Sequence, residues 1–173
     1  MLLTIGKQTA DRELGLLGEL LGILDGKLSE IKQQIEQSAD PDSAGLCDKG
    51  EYFIGIGFVA MQQYMTEALL FQSISKGNAL NLGPIHASGA TYASLINSAA
   101  NWWKHEPEWT NEGRIPDNGI RTFDHIANVA PEFGYELSKV LASLCSNEEF
   151  SLSSLVTYLV AWRDTLINKD SQK

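Results

Sequence analysis

The architecture follows from the segment at residues 8–38, which reads QTADRELGLLGELLGILDGKLSEIKQQIEQS. Its apolar residues recur at alternating steps of three and four, the spacing of one face of an α-helix. This seam consists of Leu14, Leu17, Leu21, Leu24, Leu28, Ile31 and Ile35. Leu16, Leu20 and Ile23 widen the seam into the kind of stripe that a bundle helix buries. The segment therefore predicts a long N-terminal helix packed against other helices.

Four glycines lie in the same segment, at Gly15, Gly18, Gly22 and Gly26. Each lowers the helical propensity by up to about 1 kcal/mol relative to alanine. Small residues three or four positions apart let another backbone approach closely, so we expect this glycine stripe to be a contact face.

Apolar periodicity predicts further helices over residues 52–76, 84–104, 120–129, 132–144 and 151–167. Pro107 is expected to end the helix that starts near Pro84. No segment alternates with the two-residue period of a strand, and no hairpin turn joins two β-branched runs. We predict an all-α helical bundle of five or six helices, forming a single domain over residues 1–173.

The charge balance bears on partners. The 173 residues carry 13 Lys+Arg and 22 Asp+Glu, giving a formal net charge of −9. No basic stripe of the kind that attracts nucleic acid is present, so an acidic surface fits a basic protein partner or simple solubility. No apolar run approaches the roughly 20 residues that span a bilayer, and residues 1–11 do not read as a signal peptide. We expect a soluble, cytoplasmic protein that does not contact a membrane.

Metal chemistry is not predicted. His86, His105 and His125 are far apart, and none has a second His or Cys at the spacing of helical ligands. Cys47 and Cys145 form neither a disulfide framework nor a zinc quartet. We therefore expect no metal site and no other cofactor.

One polar stripe stands out from the apolar pattern. Ser94, Asn97, Asn101, Lys104 and His105 follow one another at steps of one, three and four, so they share a side of a helix. His offers a general acid/base, Lys a cation for a developing negative charge, and Asn an orienting amide. Alternatively, the stripe is a solvated helix end whose Lys and His complement the helix dipole.

Tryptophans surround this stripe, at Trp102, Trp103 and Trp109. Such rings could stack a nucleobase or line a pocket, which makes Trp102, together with Asn97, a candidate substrate-binding residue. They could equally be core anchors, the commoner role of tryptophan at helical spacing.

The string Asn101-Trp102-Trp103-Lys104-His105 resembles the Asn-x-x-Lys-His variant of the motif of the HEPN superfamily. These proteins are small all-α domains of bacterial toxin–antitoxin and phage-defence systems, and many are metal-independent ribonucleases that act as dimers. The resemblance implies that His105, Lys104 and Asn101 are catalytic. It also implies RNA as substrate, a homodimer, and an antitoxin or defence component as protein partner.

The match covers about ten residues and departs from the usual motif in one respect. Ala99 and Ala100 stand where the family carries an arginine. Arg114 and Arg121 follow in the sequence and could reach back toward His105, so Arg114 is a further candidate substrate-binding residue. Glu67 is a candidate partner for Lys104 or His105.

Two other functions remain open at this stage. The missing arginine and the acidic charge favour a non-catalytic helical module that dimerises or binds a protein partner. The tryptophans alone would suit a bundle that binds a small molecule.

Overall fold

Helices form nearly all of the regular structure. The computed structural model describes residues 2–5, 8–70, 72–111, 115–131, 134–145 and 150–170. Strands β1 (Leu2–Ile5) and β2 (Gln8–Asp11) pair antiparallel before the first helix. The helices are α1 (Arg12–Gln37), α2 (Leu46–Leu69), α3 (Lys76–Leu80), α4 (Tyr92–Asn111), α5 (Asp117–Ala127), α6 (Glu136–Leu144) and α7 (Val156–Asp170), with a 3₁₀ turn at Ser153–Leu155. The predicted all-α bundle is confirmed, with seven α-helices in the described residues rather than five or six.

The long first helix is confirmed, but it starts later than predicted. Residues 8–11 belong to β2, and Asp11 caps α1 because its Oδ1 accepts a 3.0 Å hydrogen bond from the Leu14 N–H. The middle of the seam is buried as expected, at Leu17, Leu21, Leu24, Leu28 and Ile31. The prediction that the widened stripe is buried was wrong, since three large side chains of α1 lie exposed: Leu16, Leu20 and Ile23. We call these three residues the apolar ridge.

Other helix boundaries differ from the predicted ones for local reasons. The second helix begins at Leu46, because Gly45 takes the left-handed conformation (φ 67°) that lets the preceding turn pass into α2. The fourth begins at Tyr92 rather than near Pro84, because Thr91 Oγ1 accepts a 3.1 Å bond from the Ser94 N–H. It also continues past Pro107 to Asn111, so the prediction that this proline ends it was wrong. A proline removes one helical hydrogen bond, and Trp109, which is buried two residues later, keeps the end of the helix packed.

The second helix lies at the centre of the bundle and packs against α1, α4, α6 and α7. Its Gly55 allows close approach of α4, because a Cβ built there would lie 2.0 Å from Trp103 Cδ1. Further along this helix, the side chains of Phe58, Met61 and Met65 are buried in the core. Among the described residues, none of the helices has both the length and the apolar character needed to cross a membrane.

A buried ion pair joins the start of α1 to α7. Arg163 Nη1 donates to Asp11 Oδ2 at 2.9 Å, and the Tyr64 hydroxyl of α2 donates to the same oxygen at 2.7 Å. The two charged side chains are 10% and 7% exposed. Burial raises the pKa of Asp11, but the hydrogen bonds from Tyr64, Arg163 and Leu14 and the Arg163 charge outweigh it, so the net pKa is lowered. The carboxylate is thus held ionised where three elements meet.

Two further carboxylates anchor distant backbone. Asp25 of α1 accepts hydrogen bonds from the N–H groups of Leu152 and Ser153 at 2.7 and 3.0 Å. Glu51 of α2 accepts from the N–H groups of Leu137 and Ser138 at 3.0 and 2.7 Å. Both satisfy donors at the start of a helical segment, where helices favour negative charge. Some of the chain's acidic side chains therefore stabilise the fold.

Candidate functional site

Gln62 links the polar stripe on α4 to the middle of α2. This residue is only 6% exposed. Its Nε2 donates to Asn97 Oδ1 and to Asn101 Oδ1, both at 2.9 Å, and its Oε1 accepts a 2.7 Å hydrogen bond from Lys104 Nζ. Buried amides need such partners, because an unpaired polar group in the interior costs about 1–3 kcal/mol. We call these four residues the Gln62 network.

The network brings together Asn97, Asn101 and Lys104, which helical spacing places on one face of α4. Sequence reasoning missed Gln62 itself. The signal was present, since Gln62 directly follows Met61 and stands four residues after Phe58, both of which are core positions. A glutamine at a buried helical position requires a polar partner, and the stripe on α4 supplies three.

Next to the network, at the surface, His105 pairs with Glu108. His105 Nδ1 lies 3.1 Å from Glu108 Oε2, and the two side chains are 43% and 69% exposed. The imidazole also stacks on Trp109, with ring centroids 5.6 Å apart and planes 26° apart. A carboxylate that accepts from Nδ1–H holds the ring in one orientation and leaves Nε2 for proton transfer. We call Lys104, His105 and Glu108 the His105 surface.

A second ammonium group lies near Lys104. The pKa of Lys76, the first residue of α3, is lowered, mainly because partial burial disfavours its charged form and further because of the positive charge of Lys104. Lys104 itself is exposed. The positive charges of Lys76 and Lys104 therefore repel each other, although the chain as a whole carries −9.

Ser94, at the other end of the stripe, belongs to a different contact. Its Oγ donates to the Thr91 carbonyl oxygen at 2.9 Å and accepts a 3.0 Å bond from His125 Nε2 of α5. Burial lowers the pKa of His125, which favours the neutral ring. With a rise of about 1.5 Å per residue, Ser94 lies about 16 Å along the helix from His105. The structure thus separates Ser94 from the His105 surface.

The tryptophans pack between helices. Trp102 is half-buried, and its ring centroid lies 5.1 Å from that of Phe123 on α5 and 6.0 Å from that of Trp109. Trp103 lies over Gly55 and contacts Tyr52 edge-on at 5.7 Å. Both indoles therefore join α4 to its neighbours, the anchoring role that sequence left open beside base stacking.

The other predicted site residues are placed as follows. Arg114 lies outside the described residues. Arg121 Nε donates to the Asp117 carbonyl oxygen of its own helix at 3.2 Å. Glu67 accepts a 2.9 Å bond from Gln63 Nε2 on α2. Within the described part of the chain, no hydrogen bond or ion pair joins Arg121 or Glu67 to His105.

The described part of the chain offers no cluster of potential metal ligands. Within the described ranges, no group of three or more His, Cys, Asp or Glu residues could hold a metal ion. Cys47 and Cys145 are free thiols. Acid/base chemistry and charge stabilisation by side chains are what the His105 surface offers.

Comparison with known proteins adds no relative, since no family model, no curated protein and no solved structure matches the chain. Function therefore has to be inferred from the site residues and from the short motif at residues 101–105.

Proposed function

We propose that the chain is a HEPN-like protein of a toxin–antitoxin or phage-defence system, acting in the cytoplasm as a metal-independent endoribonuclease. One observation carries this proposal: Glu108 pairs with Nδ1 of the accessible His105, and the accessible Lys104 is the residue before it on α4. An imidazole can act as general acid and base, and an ammonium can offset the charge that develops on the phosphoryl oxygens, so both steps of metal-free phosphodiester cleavage have a candidate residue.

The proposed reaction begins with a ribose 2′-hydroxyl. His105 Nε2 takes its proton as the oxygen attacks the adjacent phosphorus, and the bond from phosphorus to the 5′-oxygen breaks. The departing 5′-oxygen receives a proton from the His105 imidazolium formed in this step, leaving a 2′,3′-cyclic phosphate and a 5′-hydroxyl and returning His105 to its neutral form. Lys104 offsets the negative charge that develops on the phosphoryl oxygens. Since Lys104 Nζ also donates to Gln62, its position depends on the buried network.

Asn101 and Asn97 then act as positioning residues. Both accept hydrogen bonds from Gln62 Nε2, and Gln62 in turn accepts from Lys104. Trp102 supports the same part of α4 by packing on Phe123. In this proposal, RNA contacts Lys104 and His105, while the amides behind them fix where the ammonium points.

A homodimer is part of the proposal, because the HEPN motif usually meets its copy across a two-fold axis. The apolar ridge supports such an assembly, since Ile23 is 65% exposed and an open apolar surface on a long helix suits a self-complementary contact. The glycine stripe is open too, with nothing within 4 Å of a Cβ built at any of its four positions. Multi-angle light scattering should give twice the 19.0 kDa of one chain; a monomer at high micromolar concentration would contradict this part.

The decisive experiment compares wild type with His105→Ala on a mixed RNA substrate in the presence of chelator. Loss of the acid/base should slow cleavage by about 10²–10⁴-fold, and mass spectrometry should find cyclic phosphate ends. Glu108→Gln should slow cleavage less, because it removes the carboxylate that orients the ring but keeps the imidazole.

His86→Ala is the matched control. His86 packs edge-on against Tyr92. Tyr92 is thirteen residues before His105 on α4, which places the two about 20 Å apart along the helix. The His86→Ala variant should cleave RNA at the wild-type rate. Equal cleavage by wild type and His105→Ala, or none by either, would refute the proposed nuclease.

The second candidate is a non-catalytic module that binds a protein partner such as an antitoxin or another defence component. The observation that favours it is the same apolar ridge, exposed on an acidic chain. Ile23→Asp should then abolish the complex with that partner, while leaving the melting temperature near that of wild type. In the nuclease proposal, by contrast, His105→Ala removes activity and leaves such a complex intact.

A further inference from the structure

The exposed side of α1 carries a symmetric pattern of apolar and charged side chains. Glu13 and Lys27 extend the apolar ridge by one step at each end, so the series is Glu13, Leu16, Leu20, Ile23 and Lys27. Its steps of three, four, three and four keep these side chains on one face of the helix. Leu20 is the middle of the series, and the carboxylate and the ammonium lie seven residues from it in opposite directions. We call these five residues the α1 outer face.

The α1 outer face is accessible along its length. The leucines and the isoleucine are 48%, 39% and 65% exposed, Lys27 is 49% exposed, and Glu13 is partly exposed. Lys27 Nζ lies 2.9 Å from Glu30 Oε2 at the surface, and an ammonium has three donors, so it can pair with a second carboxylate as well. A face with an apolar centre and one charge of each sign at its ends is self-complementary, as a two-fold contact requires.

The charges select the orientation of two copies. In a parallel pair, Glu13 would meet the partner's Glu13 and Lys27 the partner's Lys27, and such like-charge contacts are costly. In an antiparallel pair with the two-fold axis at Leu20, residues equally far from Leu20 lie level with each other. Glu13 then meets the partner's Lys27 at both ends of the contact, and the apolar ridges overlap between them.

The α1 outer face points away from the helix that carries His105. Leu16 and Asp25 are nine residues apart, which at about 100° per residue places them on opposite sides of α1. Asp25 binds the N–H groups of Leu152 and Ser153 just before α7, and α7 packs on α4. The side of α1 nearer to α4 is therefore the Asp25 side, and a copy docked on the outer face lies on the other side.

We propose that two copies of the chain dock antiparallel through the α1 outer face, with the two-fold axis at Leu20. The two His105 surfaces then do not meet across the axis, and each chain carries its own complete site. This arrangement differs from the usual HEPN dimer, in which the two motifs face each other. The inference rests on the homodimer of the proposed function and does not depend on the nuclease activity.

Sedimentation equilibrium of the full chain tests the orientation. Glu13→Lys and Lys27→Glu should each weaken dimerisation about 5- to 50-fold, because each change turns two attractions into repulsions. Combining the two changes restores opposite charges and should return the Kd to within about 3-fold of wild type. Glu36→Lys makes the same charge change nine residues after Lys27, on the opposite side of α1, and should dimerise like wild type.

Cysteine cross-linking tests the position of the axis. In a chain with Cys47→Ser and Cys145→Ser, Leu20→Cys should form a disulfide with its own copy on mild oxidation, because a residue at a two-fold axis lies close to itself. His105→Cys in the same background should stay a single chain on a non-reducing gel.

Three results would overturn the proposal: a wild-type monomer at high micromolar concentration, charge variants that all keep the wild-type Kd, or cross-linking through His105→Cys but not through Leu20→Cys. RNA cleavage by a monomer would refute this assembly and leave the nuclease proposal standing. A dimer with these properties that cleaves no RNA would support the assembly and refute the nuclease.

Discussion

Replacing Gln62 with leucine tests the centre of the candidate site. Gln62→Leu removes the donor to two amide oxygens, Asn97 Oδ1 and Asn101 Oδ1. Asn97 is buried and Asn101 is half-buried. Each unpaired buried group costs about 1–3 kcal/mol, less where water reaches it, and leucine returns some apolar burial. We expect a net loss of about 2–3 kcal/mol, which for a chain of this size lowers Tm by about 4–12 °C.

Urea unfolding followed by circular dichroism measures this loss, and the neighbouring residue provides the control. Gln63 is exposed, and among the described residues its amide bonds only to Glu67 on the same helix. Gln63→Leu should therefore change stability by less than about 0.5 kcal/mol. Combining Gln62→Leu with Asn97→Leu should cost less than the two changes added together, because the pair then leaves fewer unmatched groups. If Gln62→Leu unfolds at the same urea concentration as Gln63→Leu, the network does not hold α2 to α4 and the positioning of Lys104 fails with it.

Three further predictions concern the fold. Asp11→Asn should cost about 3 kcal/mol at neutral pH by breaking a buried ion pair. Because the pKa of Asp11 is lowered, its contribution is complete above the ordinary Asp pKa of about 3.9 and is lost as pH falls through the folded value, so urea midpoints of wild type and variant should converge in acid. Gly55→Ala should cost about 1–3 kcal/mol through overlap with the Trp103 ring, and an unchanged Tm would show that the ring can move. Leu24→Asp should cost several kcal/mol, since the residue is only 4% exposed; wild-type melting would contradict burial of the seam.

Sequence was most informative about the fold where one face repeats over many turns. The seam of α1 predicts a long helix whose inner face is buried, and the structure confirms it. The seam could not show that Leu16, Leu20 and Ile23 stay exposed, because a helical wheel does not show how much of the helix surface the neighbouring helices cover. Boundaries depended on single caps such as Thr91, and an interior proline was tolerated because the following turn is packed.

For the site, helical spacing was enough to group Asn97, Asn101 and Lys104, since they share one helix. Their common partner Gln62 comes from α2, and a contact between helices cannot be read from either helix alone. The pairing of His105 with Glu108 was within reach, because i and i+3 side chains are neighbours on a helix.

The ion pair between Asp11 and Arg163 has a consequence for synthesis of the protein. The two residues are 152 positions apart, and ribosomes add about 5–20 residues per second, so the Asp11 carboxylate exists for about 8–30 s before its guanidinium is made. During that interval Asp11 can already accept from the Leu14 N–H and, once residue 64 has been made, from the Tyr64 hydroxyl. The leucine seam of α1 packs mainly against α2, so it can be covered before α7 has been made. The ion pair between Asp11 and Arg163 is then the last of the Asp11 contacts to form, and it fastens α7 to a pair of helices that is already packed.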